Sequence, residues 1–226
     1  MKDGFRHEHK YLISTQSAVL LKHRLRGVMD RDPYAGPTGQ YTIRSLYFDD
    51  EKFTAYDEKL DGLRDRVKYR IRFYNYNLDQ IRLEKKEKHE ELTRKTGERI
   101  SREEALYLQK GIREGGFTGS GPLMRELEAG IRCGLHPAIL VDYDRTPFVC
   151  SAGQTRITVD EHIRTRPYSP DLIASSGAMV PVLEEGMAGL EVKYNDFLPG
   201  YLSEVLEEIP KVPLAISKYV LCLNTI

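Results

Sequence analysis

Charged residues recur at every second position in several strand-like segments of this chain. In residues 67–74 the charges fall on Lys68, Arg70 and Arg72, whereas the intervening positions are apolar or aromatic. Successive side chains of a β-strand point to opposite faces, so these three cations share one face. Residues 81–88 repeat the pattern, which also recurs near both ends of the chain. The pattern predicts a sheet with one apolar face and one charged face.

Such a sheet has two arrangements. Its charged face can lie against bulk water, or the sheet can close into a barrel with a cationic interior. A single strand of this kind favours the exposed face, but several in one chain favour the barrel. A cationic interior would require a multiply charged anion. Polyphosphate and nucleoside triphosphate are the natural candidates, because a guanidinium fork binds two phosphate oxygens at once.

The composition fits a folded protein with a local basic site. Of its 226 residues, 40% are hydrophobic, which is enough for a core. Lys plus Arg and Asp plus Glu both number 34, so the formal net charge is zero. A nucleic-acid binder is usually net basic, so we expect no nucleic-acid partner.

The cysteines and the apolar segments indicate the cellular compartment of the protein. Cys133, Cys150 and Cys222 are odd in number and far apart, and they lack metal-binding spacing, which fits a reducing compartment. The sequence shows no signal peptide and no apolar run near the roughly 20 residues that span a bilayer. We therefore expect a cytoplasmic location, with a membrane-protein partner as an open alternative.

The periodicities predict a single α+β domain over residues 1–226, with about eight antiparallel strands. Residues 165–188 are rich in Pro and Gly and are predicted to be mostly irregular. Ser14 and Ser101 are predicted N-caps, and Pro122 is a predicted first helical residue. The predicted strands are 5–13, 41–48, 65–74, 80–89, 93–95, 137–149, 155–160 and 189–194. The predicted helices are 15–29, 51–60, 102–110, 122–133, 199–209 and 213–223.

Three glutamates each lie two residues before a lysine, on the same strand face: Glu8, Glu84 and Glu191. On a wet surface such a pair contributes little to stability. Alternatively, the carboxylate holds a divalent metal among cations that hold phosphates, since Mg²⁺ and Mn²⁺ prefer carboxylate and phosphate oxygens. Glu191 is the strongest metal candidate, because its segment would otherwise be a core strand.

Other cations stand alone in otherwise apolar or Thr-rich segments: Arg44, Arg145 and Arg156 in strands and Lys218 in the last predicted helix. Each by itself is typical of a snorkelling surface residue or of a solvated helix end. The sequence contains no Walker-type phosphate loop, no dinucleotide-binding loop and no nucleophile elbow.

Taken together, these segments resemble the vacuolar transporter chaperone (VTC) domain of the triphosphate tunnel metalloenzyme (CYTH-like) superfamily. The resemblance implies a closed eight-stranded antiparallel β-barrel, the triphosphate tunnel, with helices packed outside. The matching segments run in the family's order over nearly the whole chain: Glu8–Ile13, Ile43–Asp49, Lys68–Tyr74, Leu83–Lys86, Tyr143–Phe148, Arg156–Asp160, Leu190–Tyr194 and Ile216–Tyr219.

The resemblance also implies an enzyme, a polyphosphate polymerase. Such an enzyme adds the γ-phosphate of ATP to a growing inorganic polyphosphate chain or a pyrophosphate primer, with Mn²⁺ or Mg²⁺ as cofactor. It implies a catalytic set of Arg70, Arg72, Lys86 and Glu191. Phosphate contacts are expected from Lys10, Arg44, Lys68, Arg70, Arg72, Lys86, Lys95, Arg145, Arg156, Lys193 and Lys218. Metal contacts are expected from Glu191, Glu84 and Glu8.

Several alternatives stay open at this level. Arg94 competes with Lys95 for the tunnel face, because a shift of one residue reverses the face of a strand. Arg6 stands where the superfamily's ExExK signature has its first glutamate, which argues against the thiamine-triphosphatase and class IV adenylate cyclase branch. The same fold could hydrolyse tripolyphosphate or nucleoside triphosphate, or bind polyphosphate or nucleotide without turnover.

Overall fold

A computed structural model describes residues 7–90, 92–111, 121–167, 178–214 and 217–226. The chain divides into two compact units, each assembled from separate segments. Unit 1 comprises Met1–Thr42, Tyr143–Ile163 and Pro181–Ala215. Unit 2 comprises Ile43–Asp142, Arg164–Val180 and Ile216–Ile226. Arg6 and Ile216, which contribute to the sequence pattern, lie outside the described residues.

The strands form an antiparallel sheet of eleven strands in the described chain, so the fold is mixed α+β with more strands than predicted. The hydrogen-bonded path is β11-β1-β10-β8-β7-β3-β4-β5-β6, with β2 beside β7 and β9 beside β8. The strands are β1 (His7–Ser14), β2 (Asp30–Arg31), β3 (Tyr41–Asp49), β4 (Arg66–Tyr74), β5 (Asn77–His89), β6 (Leu92–Ile100), β7 (His136–Cys150), β8 (Thr155–Pro167), β9 (Val180–Pro181), β10 (Met187–Tyr194) and β11 (Val212–Pro213).

This path corrects the prediction of a closed eight-stranded barrel. Within the described residues the path begins at β11 and ends at β6, and no hydrogen-bonded pair joins its two ends. The extra strands are the two-residue segments β2, β9 and β11. They are too short to show the period-two pattern on which the prediction rests.

The helices match the predicted order but several are shorter. Ser14 caps α1 through its side chain, Ser101 and Glu104 form a capping box at α3, and Pro122 opens α4, as the sequence predicts. No helix among the described residues is long and apolar enough to cross a bilayer. The helices are α1 (Thr15–Leu25), α2 (Thr54–Leu60), α3 (Arg102–Gln109), α4 (Pro122–Arg132), α5 (Gly200–Glu207) and α6 (Lys218–Leu223).

In the C-terminal half, two segments differ from the sequence-based prediction. The helix predicted over 213–223 begins only at Lys218, because Pro213 pairs with Tyr11 in the sheet and Ser217 caps the helix. The region 165–188, predicted to be irregular, contains the end of β8, the short strand β9 and the start of β10. Because proline is rare within strands, the prolines of that region favour a prediction of irregular structure.

Each unit has its own apolar core. In unit 1, α1 and α5 cover alternate residues of β1, β8 and β10, including Ile13, Val159 and Leu190. In unit 2, α3 and α4 cover alternate residues of β4 and β5, including Ile71 and Leu83. Because side chains alternate along a strand, burying these residues turns the charged positions to the opposite face in both units.

Candidate functional site

The charged face of unit 2 is built by three neighbouring strands. Residues directly opposite one another on antiparallel strands share a face. Lys68 on β4 lies opposite Lys86 on β5, and Arg70 lies opposite Glu84. Arg72 lies opposite Arg82. The predicted alternation therefore places Lys68, Arg70, Arg72, Glu84 and Lys86 on one face.

Glu84 lies at the centre of this face and is only 3% exposed. Arg70 Nε and Nη2 lie 2.7 and 2.6 Å from its Oε2 atom, and Lys95 Nζ lies 2.6 Å from its Oε1 atom. Arg72 Nη1 is 3.8 Å from Oε2. Burial would raise the pKa of Glu84, but these three cations outweigh it and lower the pKa to about 2.

The register decides between the two cations of β6. Lys95 lies opposite Lys86, whereas Arg94 lies opposite Glu87 on the other face. The contact between Lys95 and Glu84 follows from this register. Lys95, rather than Arg94, is therefore on the charged face.

Lys68 is the most unusual cation of this face. Its Nζ atom is buried and has no hydrogen-bond partner among the described residues. It lies 4.6 Å from the centre of the Tyr219 ring, a cation–π contact. Burial lowers the pKa of Lys68 to about 8. A buried ammonium without a hydrogen-bond acceptor is costly, so this position favours an anionic ligand.

Three residues of this site were not predicted. Tyr219 donates a hydrogen bond to the buried carboxylate of Asp49 and packs its ring 5.1 Å from that of Tyr47. The Tyr47 hydroxyl accepts a hydrogen bond of 3.0 Å from Arg70. Burial would raise the pKa of Tyr47, but the positive charges of Arg70 and Arg72 lower it below its usual value.

The sequence contains a signal for Tyr47 and Asp49. Tyr47 lies opposite Arg70 in the register, and Asp49 is two residues further along the same strand. Both are therefore in phase with the charged face. No local pattern connects Tyr219 to that face, because α6 reaches it from the far end of the chain.

Lys218 begins α6 directly after the Ser217 cap. Burial would raise the pKa of the Tyr47 hydroxyl, but the positive charges of Arg70 and Arg72 lower it. The positive charge of Lys218 lowers this pKa further, by a smaller contribution. The structure thus places Lys218 near the charged face of unit 2, as its predicted phosphate contact requires.

Arg44 differs from the other predicted phosphate contacts in unit 2. It lies opposite Phe73, whereas its neighbour Ser45 lies opposite Arg72. Its side chain is therefore on the core face, where Nε and Nη2 donate to the two oxygens of Asp142 at 2.8 and 2.7 Å. Both residues are buried. The structure separates Arg44 from the charged face and gives it a structural partner.

Unit 1 contains a second set of predicted residues. Lys10 on β1 lies opposite Glu191 on β10, and Glu8 lies opposite Lys193. Lys193 Nζ is 2.8 Å from Glu191, and Lys10 Nζ is 2.9 Å from Glu8. Arg156 on β8 lies opposite Lys193. All five share one face because they occupy directly opposed positions.

Arg145 and Arg156 are both held by carboxylates. Arg145 donates to the two oxygens of Asp160, at 2.7 Å each, and reaches Glu191 at 3.3 Å. Burial would lower the pKa of Arg145, but Asp160 raises it above its usual value. Arg156 Nη2 lies 2.7 Å from Asp32 and 3.0 Å from the Tyr41 hydroxyl.

The predicted metal ligands do not form a multidentate cluster. The described part of the chain holds no group of three or more His, Cys, Asp or Glu side chains that could bind a metal together. A lone carboxylate suits Mg²⁺ or Mn²⁺ when substrate phosphates and water supply the remaining oxygens.

The family model described as the VTC domain matches residues 5–226. The chain belongs to the VTC domain family. This confirms the resemblance seen in the sequence. No curated protein matches the chain.

Solved structures with the same fold are distant in sequence. One is a candidate adenylyl cyclase from Hippeastrum, HpAC1, whose dominant activity is triphosphatase. It has 15% identity and a TM-score of 0.58, and the match covers 96% of this chain and 94% of that one. Another is a candidate adenylate cyclase from Bacillus halodurans, with 15% identity, a TM-score of 0.52, and coverage of 93% and 95%. At this identity the similarity shows the fold alone.

Replacement of Arg44 should affect stability rather than phosphate binding. We expect Arg44→Met to lower the free energy of unfolding by about 3 kcal/mol, because the buried Asp142 loses both guanidinium contacts and keeps, among the described residues, only the Tyr76 hydroxyl at 3.1 Å and Arg164 at 3.9 Å. Folded Arg44→Met should bind tripolyphosphate within about twofold of the wild type, since the Arg44 side chain lies on the core face, opposite to the phosphate-binding cations. Urea unfolding and calorimetric titration measure the two effects. Arg70→Met is the matched variant on the charged face, and equal losses of affinity in both variants would contradict this assignment.

Glu84 should stabilise the protein by neutralising its neighbours. We expect Glu84→Gln to lower the free energy of unfolding by about 3 kcal/mol in anion-free buffer, because Arg70, Arg72 and Lys95 then repel one another. In the wild type this stabilisation is complete above the unfolded pKa of 4.5 and is lost as the pH falls through about 2.

Tripolyphosphate should raise the melting temperature of Glu84→Gln more than that of the wild type, since it replaces the lost negative charge. Glu87→Gln, on the other face of the same strand, is the control. Unchanged stability of Glu84→Gln would show that the carboxylate does not neutralise this face.

Lys68 should make anion affinity depend on pH. With a pKa of about 8, Lys68 is charged at pH 7 and mostly neutral at pH 9. Binding an anion must then protonate it, so affinity for tripolyphosphate should fall about tenfold over this range. Calorimetric titration at several pH values measures the fall. Lys68→Arg should flatten the profile because Arg stays charged. A wild-type profile as flat as that of Lys68→Arg would refute the role.

Proposed function

We propose that this chain is a metal-dependent polyphosphate polymerase that uses ATP. The observation that carries the proposal is the buried Lys68 ammonium, which has no hydrogen-bond acceptor among the described residues. It lies on a face shared with Arg70, Arg72, Lys86 and Lys95. Such a face favours a ligand with several negative charges, and membership of the VTC domain family supports a phosphate-based one.

In this proposal the triphosphate binds the charged face of unit 2. Arg70 and Arg72 exchange part of their contact with Glu84 for phosphate oxygens, which they meet as planar forks. Lys86 and Lys68 add positive charge, but an ammonium group does not impose the planar geometry of a guanidinium. Phosphoryl transfer requires little covalent help from a protein and depends on positioning and charge neutralisation, which this set supplies.

The transfer step conserves all atoms. A terminal oxygen of the acceptor phosphate forms a bond to the γ-phosphorus of ATP, and the bond from that phosphorus to the β,γ-bridging oxygen breaks. ADP leaves with the bonding electron pair, and the chain grows by one phosphate. The tunnel implied by the family resemblance, the acceptor contacts of Lys10, Arg145 and Lys218, and the cytoplasmic location stay predictions.

Glu191 is the residue that would hold a Mg²⁺ or Mn²⁺ ion. Among the described residues its carboxylate contacts two cations, Lys193 at 2.8 Å and Arg145 at 3.3 Å, whereas that of Glu84 contacts three, so a metal ion at Glu191 would meet less positive charge than at Glu84. The ion would neutralise charge on the phosphates and complete its coordination with phosphate oxygens and water. Glu84 and Glu8 are weaker candidates, because Glu84 is enclosed by three cations and Glu8 is bound to Lys10.

Hydrolysis is the second candidate function. HpAC1 from Hippeastrum shares the fold and has dominant triphosphatase activity. If water takes the place of the acceptor phosphate, the same cations would support hydrolysis of tripolyphosphate or nucleoside triphosphate. A binding module without turnover would also retain the cationic face but would not depend on Glu191.

A synthesis assay separates these functions. Protein incubated with ATP, Mn²⁺ or Mg²⁺ and a pyrophosphate or short polyphosphate primer is expected to give long chains on a stained gel. Arg70→Gln and Glu191→Gln should abolish them, whereas Arg94→Gln, on the opposite face of β6, should not. Orthophosphate released from tripolyphosphate without chains would instead indicate a hydrolase. Neither product, together with tight polyphosphate binding, would indicate a binding module.

A further inference from the structure

Three arginines lie side by side across the strands of unit 2. Arg72 on β4 lies directly opposite Arg82 on β5, and Arg82 lies directly opposite Arg99 on β6. We refer to these three residues as the arginine row. No local sequence pattern connects Arg82 with Arg99, because they belong to separate strands and their alignment depends on the register.

The arginine row contains no carboxylate. Like charges directly opposite one another on a sheet are destabilising. Arg72 donates to the Ser45 hydroxyl at 3.0 Å, and Arg99 donates to the backbone carbonyl of Asp79 at 2.9 Å. Arg82 has neither a hydrogen bond nor an ion pair within the described ranges. The adjacent row, which contains Arg70, has Glu84 to balance it. Arg72 lies 3.8 Å from Glu84 of that adjacent row, whereas Arg82 and Arg99 form no ion pair in the part of the chain that the structure describes.

Arg82 leans from its row toward the phosphate-binding cluster. A Cβ atom placed on Gly97 would lie 3.3 Å from Arg82 Nη2. Gly97 lies directly opposite Glu84. The absence of a side chain at Gly97 therefore gives the Arg82 guanidinium room beside the centre of the charged face.

The arginine row also runs from the interior of the site to solvent. Arg72 is 6% exposed, whereas Arg82 and Arg99 are exposed. Neighbouring strands lie about 4.8 Å apart, so the row spans about 10 Å. It ends on β6, the last strand of the hydrogen-bonded path. A polyanion bound to Arg72 could therefore continue across Arg82 and Arg99 to the edge of the sheet.

We propose that the arginine row is a subsite for inorganic polyphosphate, which holds the part of the chain that extends beyond the triphosphate-sized cluster of Lys68, Arg70, Arg72 and Lys86. The inference rests on the proposed function and deepens it. Each guanidinium presents a fork that binds two phosphate oxygens, and unbranched polyphosphate offers such oxygens on every unit. The row therefore distinguishes long chains from short ones without a change in the cluster that binds three phosphates.

The test compares two ligands and two variants. The double variant Arg82→Gln/Arg99→Gln removes the exposed part of the row. Arg94→Gln removes one exposed cation from the opposite face of β6 and serves as the control. Dissociation constants for tripolyphosphate and for long-chain polyphosphate are measured by calorimetric titration at several salt concentrations. Melting temperatures show that the variants are folded.

The double variant is expected to lose at least about tenfold in affinity for long-chain polyphosphate, and its salt slope should fall by about one per lost phosphate contact. Its affinity for tripolyphosphate should fall much less, by about twofold, because the double variant keeps all four cations of the triphosphate-sized cluster and loses only neighbouring positive charge. Arg94→Gln should bind both ligands as the wild type does.

Four results would overturn the subsite. They are an unchanged affinity of the double variant for long chains, an equal loss for both ligands, an equal loss in Arg94→Gln, and displacement of polyphosphate by duplex DNA at equal phosphate concentration. A wild type that binds neither tripolyphosphate nor polyphosphate would refute the proposed function and the subsite with it. A wild type that binds both, with no selective loss in the double variant, would refute the subsite alone.

Discussion

One buried carboxylate compensates the charged face of unit 2. Glu84 contacts Arg70 and Lys95 directly and lies near Arg72, so cations that would repel one another stay together in the folded protein. Glu84 and Asp49 cannot neutralise all five cations of this face, which are Lys68, Arg70, Arg72, Lys86 and Lys95. The remaining positive charge creates a strong preference for a polyanion, which can take over the role of Glu84 when it binds. Stability of the free protein and affinity for phosphate therefore depend on the same contacts.

The cations differ in whether a carboxylate of the protein pairs with them. Arg145 is bound by both oxygens of Asp160, and Arg44 is bound by both oxygens of Asp142. These are enclosed ion pairs that fix geometry. The Lys68 ammonium instead lies against the face of Tyr219 without a hydrogen bond among the described residues. A ligand gains most from cations of the second kind, because they have no protein acceptor to give up.

The period-two pattern predicted much of the candidate site in unit 2. It gave the common face of Lys68, Arg70 and Arg72, because alternation along one strand is a local property. It made no prediction for Arg44, whose phosphate contact was implied by the family resemblance alone, and β3 is buried on both faces, so its sequence does not show that Arg44 lies on the core face. It left Lys95 and Arg94 undecided, because the choice depends on the pairing with β5.

The sequence by itself determined the strand segments with alternating charge, the helix caps at Ser14 and Ser101, and the family, because each rests on neighbouring residues or on their order. Only the tertiary structure decided which charges meet. Register sets Glu84 beside Lys95 and aligns Arg72 with Arg82 and Arg99. Packing of the C-terminal helix brings Tyr219 to Asp49. These contacts join residues far apart in the chain, and their geometry is fixed by strand pairing and by burial, which no local pattern encodes.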